Sequence, residues 1–258
     1  MIERVLYEGC PLCSHSVFVD YFTGDCSKHP LYQPALPSQI RWKQCGKCLH
    51  VFAEGYCSDG ACRVIFRSTN ENQKVGYQVE EQRDISSRMI EKVLPFVSRG
   101  NWLDVGFGNG ALLFTAQEYG FVPIGIDLRA ENVKVMSALG IEAHSPALVD
   151  VTLAEKCAVV SMADVLEHMP YPKEGLSAAH ELLADSGVLL VSMPNTESIV
   201  WRVLHETGAN FYWGEIEHYH NFSRSRLYAL LRETGFEPVR YGISERYRAC
   251  MEVVARKR

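Results

Sequence analysis

The strongest constraint on the fold is the segment WLDVGFGNG at residues 102–110, which is followed by IGID at residues 124–127. This pattern predicts a buried strand, a glycine turn, a helix, a second strand and then an acid. The three glycines let the backbone turn sharply and approach a ligand, because they carry no Cβ. Asp127, ~20 residues after the first glycine, is placed to accept hydrogen bonds from two ribose hydroxyls. The sequence therefore predicts the first half of a nucleotide-cofactor site on an open α/β sheet.

Two cofactors fit this turn. As GFGNGA, it matches the dinucleotide fingerprint, whose last position can be alanine. A dinucleotide sets its pyrophosphate on the helix N-terminus, and Asp104 would then add negative charge beside the phosphates. S-adenosylmethionine (SAM) has no phosphate and carries an ammonium and a sulfonium, which suit an acid at the strand end. The sequence favours SAM and leaves open a dinucleotide-dependent oxidoreductase or a purely structural glycine turn.

The segment DVGFGNG resembles motif I, D/E-x-G-x-G-x-G, of the class I SAM-dependent methyltransferases, and Asp127 matches their acid after the second strand. The resemblance implies that Asp104 and the glycines hold the methionine side of SAM, while Asp127 holds the ribose. Leu128 is expected beside the adenine, because it follows Asp127 at the strand end. The implied cofactor-binding residues are Asp104, Gly106, Gly108, Gly110, Asp127, Leu128 and Met162.

Alternating strand and helix patterns continue through the rest of the chain. Runs such as CAVVSM and VLLVSM are apolar on both faces, which is typical of buried parallel strands. After five β-α units, two final strands at about residues 236–243 and 248–255 would form an antiparallel hairpin, as in the class I methyltransferase sheet. The sequence thus predicts an α/β fold with a Rossmann-like, seven-stranded sheet. The family resemblance covers roughly residues 78–256.

The N-terminal block is rich in cysteine, since seven of the nine cysteines precede residue 63. Two C-x-x-C turns, at residues 10–13 and 45–48, can together complete a tetrahedral four-thiolate zinc site. An expected cytoplasmic location disfavours disulfides, and no strand-helix pattern around either pair indicates a redox motif. Four small buried thiols are the alternative. The predicted ligands of a structural zinc are Cys10, Cys13, Cys45 and Cys48.

The two patterns divide the chain. We predict a small zinc-ribbon-like module at residues 1–75 and a SAM-dependent methyltransferase domain at residues 76–258. A second metal site is left open, although core or surface thiols are the simpler interpretation of its candidate ligands. Those candidates are Cys26, His29, Cys57 and Cys62.

The composition fits an ordinary globular protein. The chain has 258 residues, of which 47% are hydrophobic and 22% charged, and this length holds one α/β domain plus a small module. The net charge of −5 provides no general attraction to nucleic acid or to membranes. With no apolar run of ~18 residues and no signal-peptide pattern, we expect a soluble cytoplasmic protein. The oligomeric state is left open.

A second resemblance concerns ADVLEH at residues 163–168, which looks like the segment after strand 4 in the ubiquinone-biosynthesis-like branch, often E-V-L-E-H. Such segments run beside the transferred methyl group, at the carboxyl ends of the strands. Asp164 stands where that branch often has glutamate. His168 has two open interpretations, one structural and one catalytic.

The stretch EIEHYHNFS at residues 215–223 resembles the E-H…F-S segment of nucleotide-sugar C-methyltransferases. Those enzymes also carry an N-terminal four-cysteine zinc module and a tyrosine before the SAM domain, to which Tyr77 would correspond. They continue with a large C-terminal domain, which this sequence lacks after Arg258. The resemblance therefore implies an acceptor pocket with aromatic walls, and it leaves open the identity of the acceptor.

The predicted function is SAM-dependent methylation, on oxygen or carbon, of a small molecule such as a sugar nucleotide or a natural-product intermediate. If the acceptor is a hydroxyl or a C–H group, a base must remove its proton, and a histidine held by a carboxylate suits that task. His218 is the first candidate, oriented by Glu217 or by Glu215 or Glu167. The rival candidates for the base are His220, His168 and Tyr77. The alternative function is a zinc-ribbon adaptor or partner-binding protein that retains a SAM-binding scaffold.

Overall fold

A computed structural model describes residues 4–65, 71–145 and 147–258. The strands are β1 Arg4–Leu6, β2 Phe18–Asp25, β3 Gln39–Cys45, β4 Val51–Ala53, β5 Gly55–Cys57, β6 Gly100–Val105, β7 Phe121–Ile126, β8 Glu142–His144, β9 Cys157–Ala163, β10 Leu183–Pro194, β11 His220–Asn221, β12 Phe236–Ile243 and β13 Cys250–Lys257. The helices are α1 Asp59–Ile65, α2 Val79–Val93, α3 Ala111–Glu118, α4 Ala130–Ala138, α5 Pro172–Leu182, α6 Ile199–Glu206 and α7 Arg224–Glu233. Short 3₁₀ helices include Leu166–His168 and Phe211–Gly214.

The described residues form two compact units. The first gathers residues 4–65, 167–172 and 194–227, and the second contains 71–145, 147–166, 173–193 and 228–258. The predicted domain boundary, with a zinc-binding module at residues 1–75 and a methyltransferase domain at residues 76–258, stays a prediction. The compact first unit includes two later segments that this division assigned to the methyltransferase domain.

The second unit is built on a seven-stranded sheet in the order β12-β13-β10-β9-β6-β7-β8. The strands from β10 to β8 are parallel, and β12 pairs antiparallel with β13. Strands β9 and β10 are buried along nearly their whole apolar runs, as expected for a parallel sheet covered on both faces. The predicted α/β class, the seven-stranded Rossmann-like sheet and the final antiparallel hairpin are confirmed.

The core of this unit lies between the sheet and the helices that connect its strands. Trp102 of β6 is fully buried and packs edge-to-face on Phe121 of β7 at 4.9 Å between ring centroids. Helices α2 and α3 contribute Met89, Ile90 and Leu112 to the same hydrophobic cluster. Burial of these side chains stabilises the strands whose carboxyl ends lead into the glycine turn and carry Asp104 and Asp127.

The first unit contains a four-stranded antiparallel sheet in the order β11-β4-β3-β2, and β1 pairs separately with β5. Its buried apolar residues include Ile40 and Trp42 of β3 and Phe52 of β4. Strand β11, at His220–Asn221, pairs with Val51–Phe52 although the two segments are far apart in the sequence. The sheet that carries the N-terminal cysteines is therefore completed by a strand from the later segment of the chain.

No helix in the described part of the chain is both long and apolar enough to cross a membrane.

Candidate functional site

The glycine turn predicted from the sequence follows β6. Gly106, Gly108 and Gly110 all have positive φ, at 70°, 54° and 80°, which residues with a Cβ rarely adopt. A Cβ on Gly106 would stand 2.8 Å from Val165 Cγ2, so space is also restricted at this position. The backbone N–H of Gly106 donates to the carbonyl of Ile126 at 2.7 Å, which ties the turn to β7. The turn therefore has the backbone conformation that close approach of a ligand requires.

Asp127 lies directly after β7 and is buried. One carboxylate oxygen, Oδ2, accepts from the backbone N–H of Gly108 at 3.0 Å, and the other accepts from the backbone N–H of Arg129 at 2.8 Å. The Arg129 guanidinium also contacts both oxygens at 3.2 Å and donates to Gln73. These contacts hold the Asp127 carboxylate beside the glycine turn, where the sequence predicts the ribose.

Asp104, near the end of β6, is buried next to Ser161 of β9. The Ser161 hydroxyl donates to Asp104 Oδ1 at 2.6 Å and accepts from Trp102 Nε1 at 2.8 Å. Burial raises the pKa of Asp104 to about 6, against the lowering effects of the Arg246 charge and the Ser161 hydrogen bond. A cation bound nearby would lower the pKa of this buried acid, because a positive charge favours the ionised form.

A second acid, Asp164, follows β9 at the same edge of the sheet and has a positive φ of 59°. Its Oδ1 accepts from the Ser192 hydroxyl at 2.9 Å, and its Oδ2 lies 3.7 Å from Arg246 Nη1. Burial raises the pKa of Asp164, and Arg246 opposes the shift. Ser161, Ser192 and Arg246 are not predicted from the sequence as partners of these acids. A serine within each of two apolar strands was the one available signal for the first two.

Three further residues predicted near the cofactor lie in the same unit. Leu128 is 75% exposed, directly after Asp127. Met162 is fully buried within β9. Tyr77 lies beside the glycine turn, because the Asn109 side chain donates to the Tyr77 carbonyl at 3.2 Å. Their roles in cofactor binding or catalysis stay predictions.

In the first unit, His168 and His218 lie close together with ring centroids 4.7 Å apart, nearly perpendicular. His168 Nδ1 lies 3.0 Å from the Glu217 carbonyl, so that nitrogen carries the proton and donates. Ligand-capable atoms of Glu167, His168 and His218 are all within 4.8 Å of one another. Glu215 instead pairs with His29 at 2.9 Å. The structure thus brings together three of the residues considered for proton transfer.

His218 is buried, and within the described ranges its Nδ1 has no hydrogen-bond partner. Burial lowers the pKa of His218 well below 6.5, and the nearby His168, His29 and His220 act in the same direction. The ring is therefore neutral near pH 7, and a neutral imidazole has one nitrogen that can accept a proton.

His220 has a different environment. Its Nε2 lies 2.9 Å from the Met169 carbonyl and its Nδ1 lies 3.0 Å from His50 Nε2. His220 must therefore donate from Nε2 and accept at Nδ1, so both nitrogens are engaged. Burial lowers the pKa of His220 to about 3 and that of His50 well below 6.5. This arrangement links β11 to β4 through two neutral rings.

The four cysteines of the two C-x-x-C turns come together in the first unit, with all sulfurs within 4.8 Å of one another. The Sγ atoms of Cys10 and Cys48 are 3.6 Å apart, as are those of Cys13 and Cys45. Four sulfurs at ~2.3 Å from one zinc ion would be separated by about 3.8 Å, so the cluster fits a tetrahedral ion. All four are free thiols rather than disulfides.

The candidate ligands of a second metal site do not converge within the described part of the chain. Cys26 Sγ donates to the Pro37 carbonyl at 3.1 Å, and Cys62 Sγ contacts the Cys57 carbonyl at 3.7 Å. Both nitrogens of His29 are engaged, one with Glu215 and the other with the N–H of Leu31. These contacts favour the simpler interpretation of the four residues, in which the cysteines are core or surface thiols and His29 is a hydrogen-bonded histidine.

Comparisons with known proteins agree with this site. A family model described as a methyltransferase domain matches residues 77–241, which is more than half of the chain. The ubiquinone biosynthesis O-methyltransferase of Haemophilus ducreyi is 31% identical over 105 residues, covering 36% of this chain and 44% of that protein. Its counterpart from Psychrobacter arcticus is 31% identical over 136 residues, covering 48% and 50%. The chain thus spans about half the length of the curated relatives it matches.

Among solved structures, the fold is similar to the 1,6-didemethyltoxoflavin-N1-methyltransferase of Burkholderia thailandensis, crystallised with 1,6-didemethyltoxoflavin and S-adenosylhomocysteine. The TM-score is 0.59 at 18% identity, over 81% of this chain and 95% of that one. From the family match, the sheet order and the glycine turn between two acids, we conclude that this chain belongs to the methyltransferase domain family and has the class I SAM-dependent methyltransferase fold.

Proposed function

We propose that this protein binds SAM and transfers its methyl group to a small molecule. The observation that carries the proposal is the arrangement at the carboxyl edge of the parallel strands, where Asp104, the glycine turn and Asp127 come together. Asp127 supplies acceptors for hydroxyl groups, and the glycines leave room for a ligand. Asp104 is a buried acid that a cationic ligand would ionise. Membership of the methyltransferase domain family supports the same chemistry.

SAM, when bound, supplies an electrophilic methyl group on a sulfonium. The chain's own residues hold the cofactor and orient the acceptor, because in-line transfer depends mainly on keeping nucleophile, carbon and leaving group collinear. We assign the methionine side to Asp104, Gly106, Gly108 and Gly110, and the ribose to Asp127. Leu128 is assigned to the adenine, because its exposed side chain is available to contact a ligand.

The acceptor is proposed to be a small molecule methylated on oxygen or carbon, such as a sugar nucleotide or a natural-product intermediate. The two curated relatives are O-methyltransferases of ubiquinone biosynthesis by name. The toxoflavin-precursor enzyme was crystallised with its small heteroaromatic compound. These proteins support a small-molecule acceptor without selecting one.

For an acceptor that must lose a proton, we propose His218 as the general base. Its support is a neutral buried ring whose Nδ1 has no partner in the described structure. His220 is less suited, because both of its nitrogens are engaged. His168 is oriented by the Glu217 backbone carbonyl rather than by a carboxylate, and Tyr77 lies beside the glycine turn. These three residues stay as rivals for the role.

We further propose that Cys10, Cys13, Cys45 and Cys48 hold a structural zinc ion. Four thiolates fill a tetrahedral coordination sphere and leave no position for a catalytic water. The ion would cross-link the turn before β2 to the turn between β3 and β4, so it would stabilise the four-stranded sheet.

The test is cofactor binding followed by an acceptor screen. Calorimetry should detect SAM binding to the purified chain and no binding of NAD, and Asp127→Ala should weaken the SAM signal. Mass spectrometry would then follow S-adenosylhomocysteine and methylated product for phenolic, heteroaromatic and sugar-nucleotide acceptors. NAD binding without SAM binding would contradict the proposal. SAM binding without turnover across the panel would favour the adaptor function over the enzyme.

A further inference from the structure

The first unit contains a cavity of about 570 Å³ whose lining includes none of the residues assigned to SAM. It is formed by the end of β2, the turn at residues 28–30 and the segment from His205 to Glu215. This volume is within the range that binds drug-sized molecules. The cofactor-binding glycine turn belongs to the other compact unit, so the cavity needs an explanation of its own.

One wall of the cavity is aromatic and held rigidly. Phe22 and Phe211 are 36% and 59% exposed, and the Trp213 ring lies 4.7 Å behind Phe22. Trp213 Nε1 donates to His205 Nδ1 at 3.1 Å, and the Trp213 carbonyl accepts from Trp42 Nε1 at 2.9 Å. Rings fixed in this way present flat apolar faces to a ligand at low entropic cost.

The close approach of two glycines keeps this wall in place. A Cβ on Gly24 would stand 1.8 Å from the Trp213 carbonyl oxygen, and a Cβ on Gly214 would stand 2.4 Å from the Asp25 carbonyl oxygen. The end of β2 and the 3₁₀ helix Phe211–Gly214 are therefore in direct backbone contact, which only residues without a Cβ allow. The cavity is thus bounded by a fixed backbone frame.

A buried donor on the cavity lining lacks a partner. Asn210 is only 9% exposed, and its Oδ1 accepts from the Tyr212 N–H at 3.2 Å as an N-cap. Its Nδ2 is buried and has no hydrogen-bond partner among the residues that the structure describes. An unpaired buried donor costs about 1–3 kcal/mol, which a ligand acceptor atom at this position would offset.

The other polar groups of the lining also favour a ligand with acceptor oxygens. Because His205 Nδ1 accepts from Trp213, the His205 proton is on Nε2, which is a donor. Lys28 adds a positive charge. The two acids of the lining also accept hydrogen bonds, since Glu215 pairs with His29 at 2.9 Å and Asp25 accepts from the Ser27 N–H at 2.9 Å. The Asn210 and His205 donors therefore favour acceptor oxygens on a ligand that contacts the aromatic wall.

We infer that this cavity is a binding site for a planar aromatic molecule that carries acceptor oxygens, with the ring on Phe22 and Phe211 and the oxygens toward Asn210 and Lys28. The site does not depend on the proposed cofactor binding, because its lining contains none of the residues assigned to SAM. Binding is therefore expected in the absence of SAM.

The test uses the full chain without SAM and 2-naphthoate as the probe, titrated by calorimetry. Cyclohexanecarboxylate, which has no aromatic ring, and methyl glucoside, which has no charge, serve as ligand controls. Saturable binding of 2-naphthoate, at least tenfold tighter than either control, is the expected result. No detectable 2-naphthoate binding at millimolar concentration would overturn the inference, as would equal or tighter binding of either control.

Two variants and a matched control locate the site. Phe211→Ala removes an exposed ring, and Asn210→Asp keeps the Oδ1 cap while replacing the donor with an acceptor; each should weaken 2-naphthoate binding at least tenfold. Ile199→Ala truncates a similarly exposed residue of α6 outside the cavity lining and should bind as the wild type does. Thermal melts would establish that the variants are folded. Wild-type affinity in both cavity variants would overturn the assignment.

Discussion

The Asp127 carboxylate accepts a hydrogen bond from the backbone N–H of Gly108 at 3.0 Å. This contact joins the acid at the end of β7 to the middle glycine of the turn after β6, so one side chain fixes both halves of the proposed cofactor site. The carboxylate accepts as well from the backbone and the guanidinium of Arg129. It therefore contributes to the shape of the turn besides offering acceptors to a ligand.

Replacing Asp127 with alanine should weaken SAM binding. The loss of a buried charged acceptor is expected to cost about 2 kcal/mol, which is roughly a 30-fold rise in the dissociation constant. Calorimetric titration with SAM checks this value. Glu131→Ala, an exposed acid in the first turn of the next helix, is the matched control and should leave affinity unchanged. SAM affinity equal to wild type in Asp127→Ala would remove Asp127 from the site.

SAM affinity should rise with pH through about 6. The pKa of Asp104 is raised to about 6 by burial, so the acid is largely neutral below this pH, and a cationic ligand favours its ionised form. Affinity should fall by at most about tenfold per pH unit below pH 6 and level off above it. Asp104→Asn should flatten this dependence, and an unchanged slope in that variant would contradict the role of Asp104.

The free energy of unfolding of the second unit should also depend on Asp104, but with the opposite trend, because it should fall as pH rises. Because its folded-state pKa lies above the model value of 3.8, the folded chain binds more protons than the unfolded chain between about pH 4 and 6. The contribution of Asp104 to the free energy of unfolding is present below pH 4 and is lost as pH rises through 6. Asp104→Asn should therefore increase stability, relative to wild type, more at pH 7 than at pH 4. Denaturant titrations at the two pH values measure the difference.

One zinc ion per chain is expected on the four-cysteine cluster. Elemental analysis of freshly purified protein should give one equivalent, and Cys45→Ser should release it and lower the unfolding temperature of the first unit. Cys26→Ser is a matched control, because Cys26 is also a buried thiol but bonds to a backbone carbonyl. Absence of zinc in the native protein, or an unaffected Cys45→Ser variant, would leave the cluster as four buried thiols.

His218→Ala should leave SAM affinity unchanged and lower turnover by roughly 10² to 10⁴, once an acceptor is known. Burial lowers the pKa of His218 well below 6.5, so its neutral form persists to acidic pH. The wild-type turnover rate should therefore stay constant near neutral pH and should fall only when the pH is lowered below 6.5. His205→Ala provides a control on an exposed histidine of the same unit. Full turnover in His218→Ala would transfer the role to one of its rivals.

The buried His50–His220 pair should make the first unit sensitive to acid. Both pKa values are lowered by burial, so the unfolded chain binds more protons below pH 6.5 and the free energy of unfolding falls as pH decreases. His220→Gln removes one of the titrating groups and should reduce the slope of stability against pH between about 6.5 and 4. His144→Gln changes a more exposed histidine and should leave that slope unchanged.

Local sequence determined several parts of this protein. Some features are short-range patterns, because their chemistry depends on neighbours within a few residues. These are the three glycines, the acids at the ends of two strands (Asp104 and Asp127) and the two C-x-x-C pairs. Gly106, Gly108 and Gly110 adopt the positive φ that their spacing suggested, and the two C-x-x-C turns bring their sulfurs together. Apolar runs on both faces likewise predicted the parallel strands, because a covered strand must be apolar throughout.

Tertiary structure alone decided which distant groups share an environment. Burial raises the pKa of Asp104, and Arg246 and Ser161, which lie on other parts of the chain, oppose that shift. His218 and His220, two residues apart, differ because β11 pairs with β4, which places His220 against His50 and engages both of its nitrogens. Burial and hydrogen-bond partners arise from long-range packing, and a sequence pattern specifies residue types without specifying those neighbours. The sequence therefore predicted the fold and the glycine turn, whereas packing determined which acids and histidines are buried, paired or available.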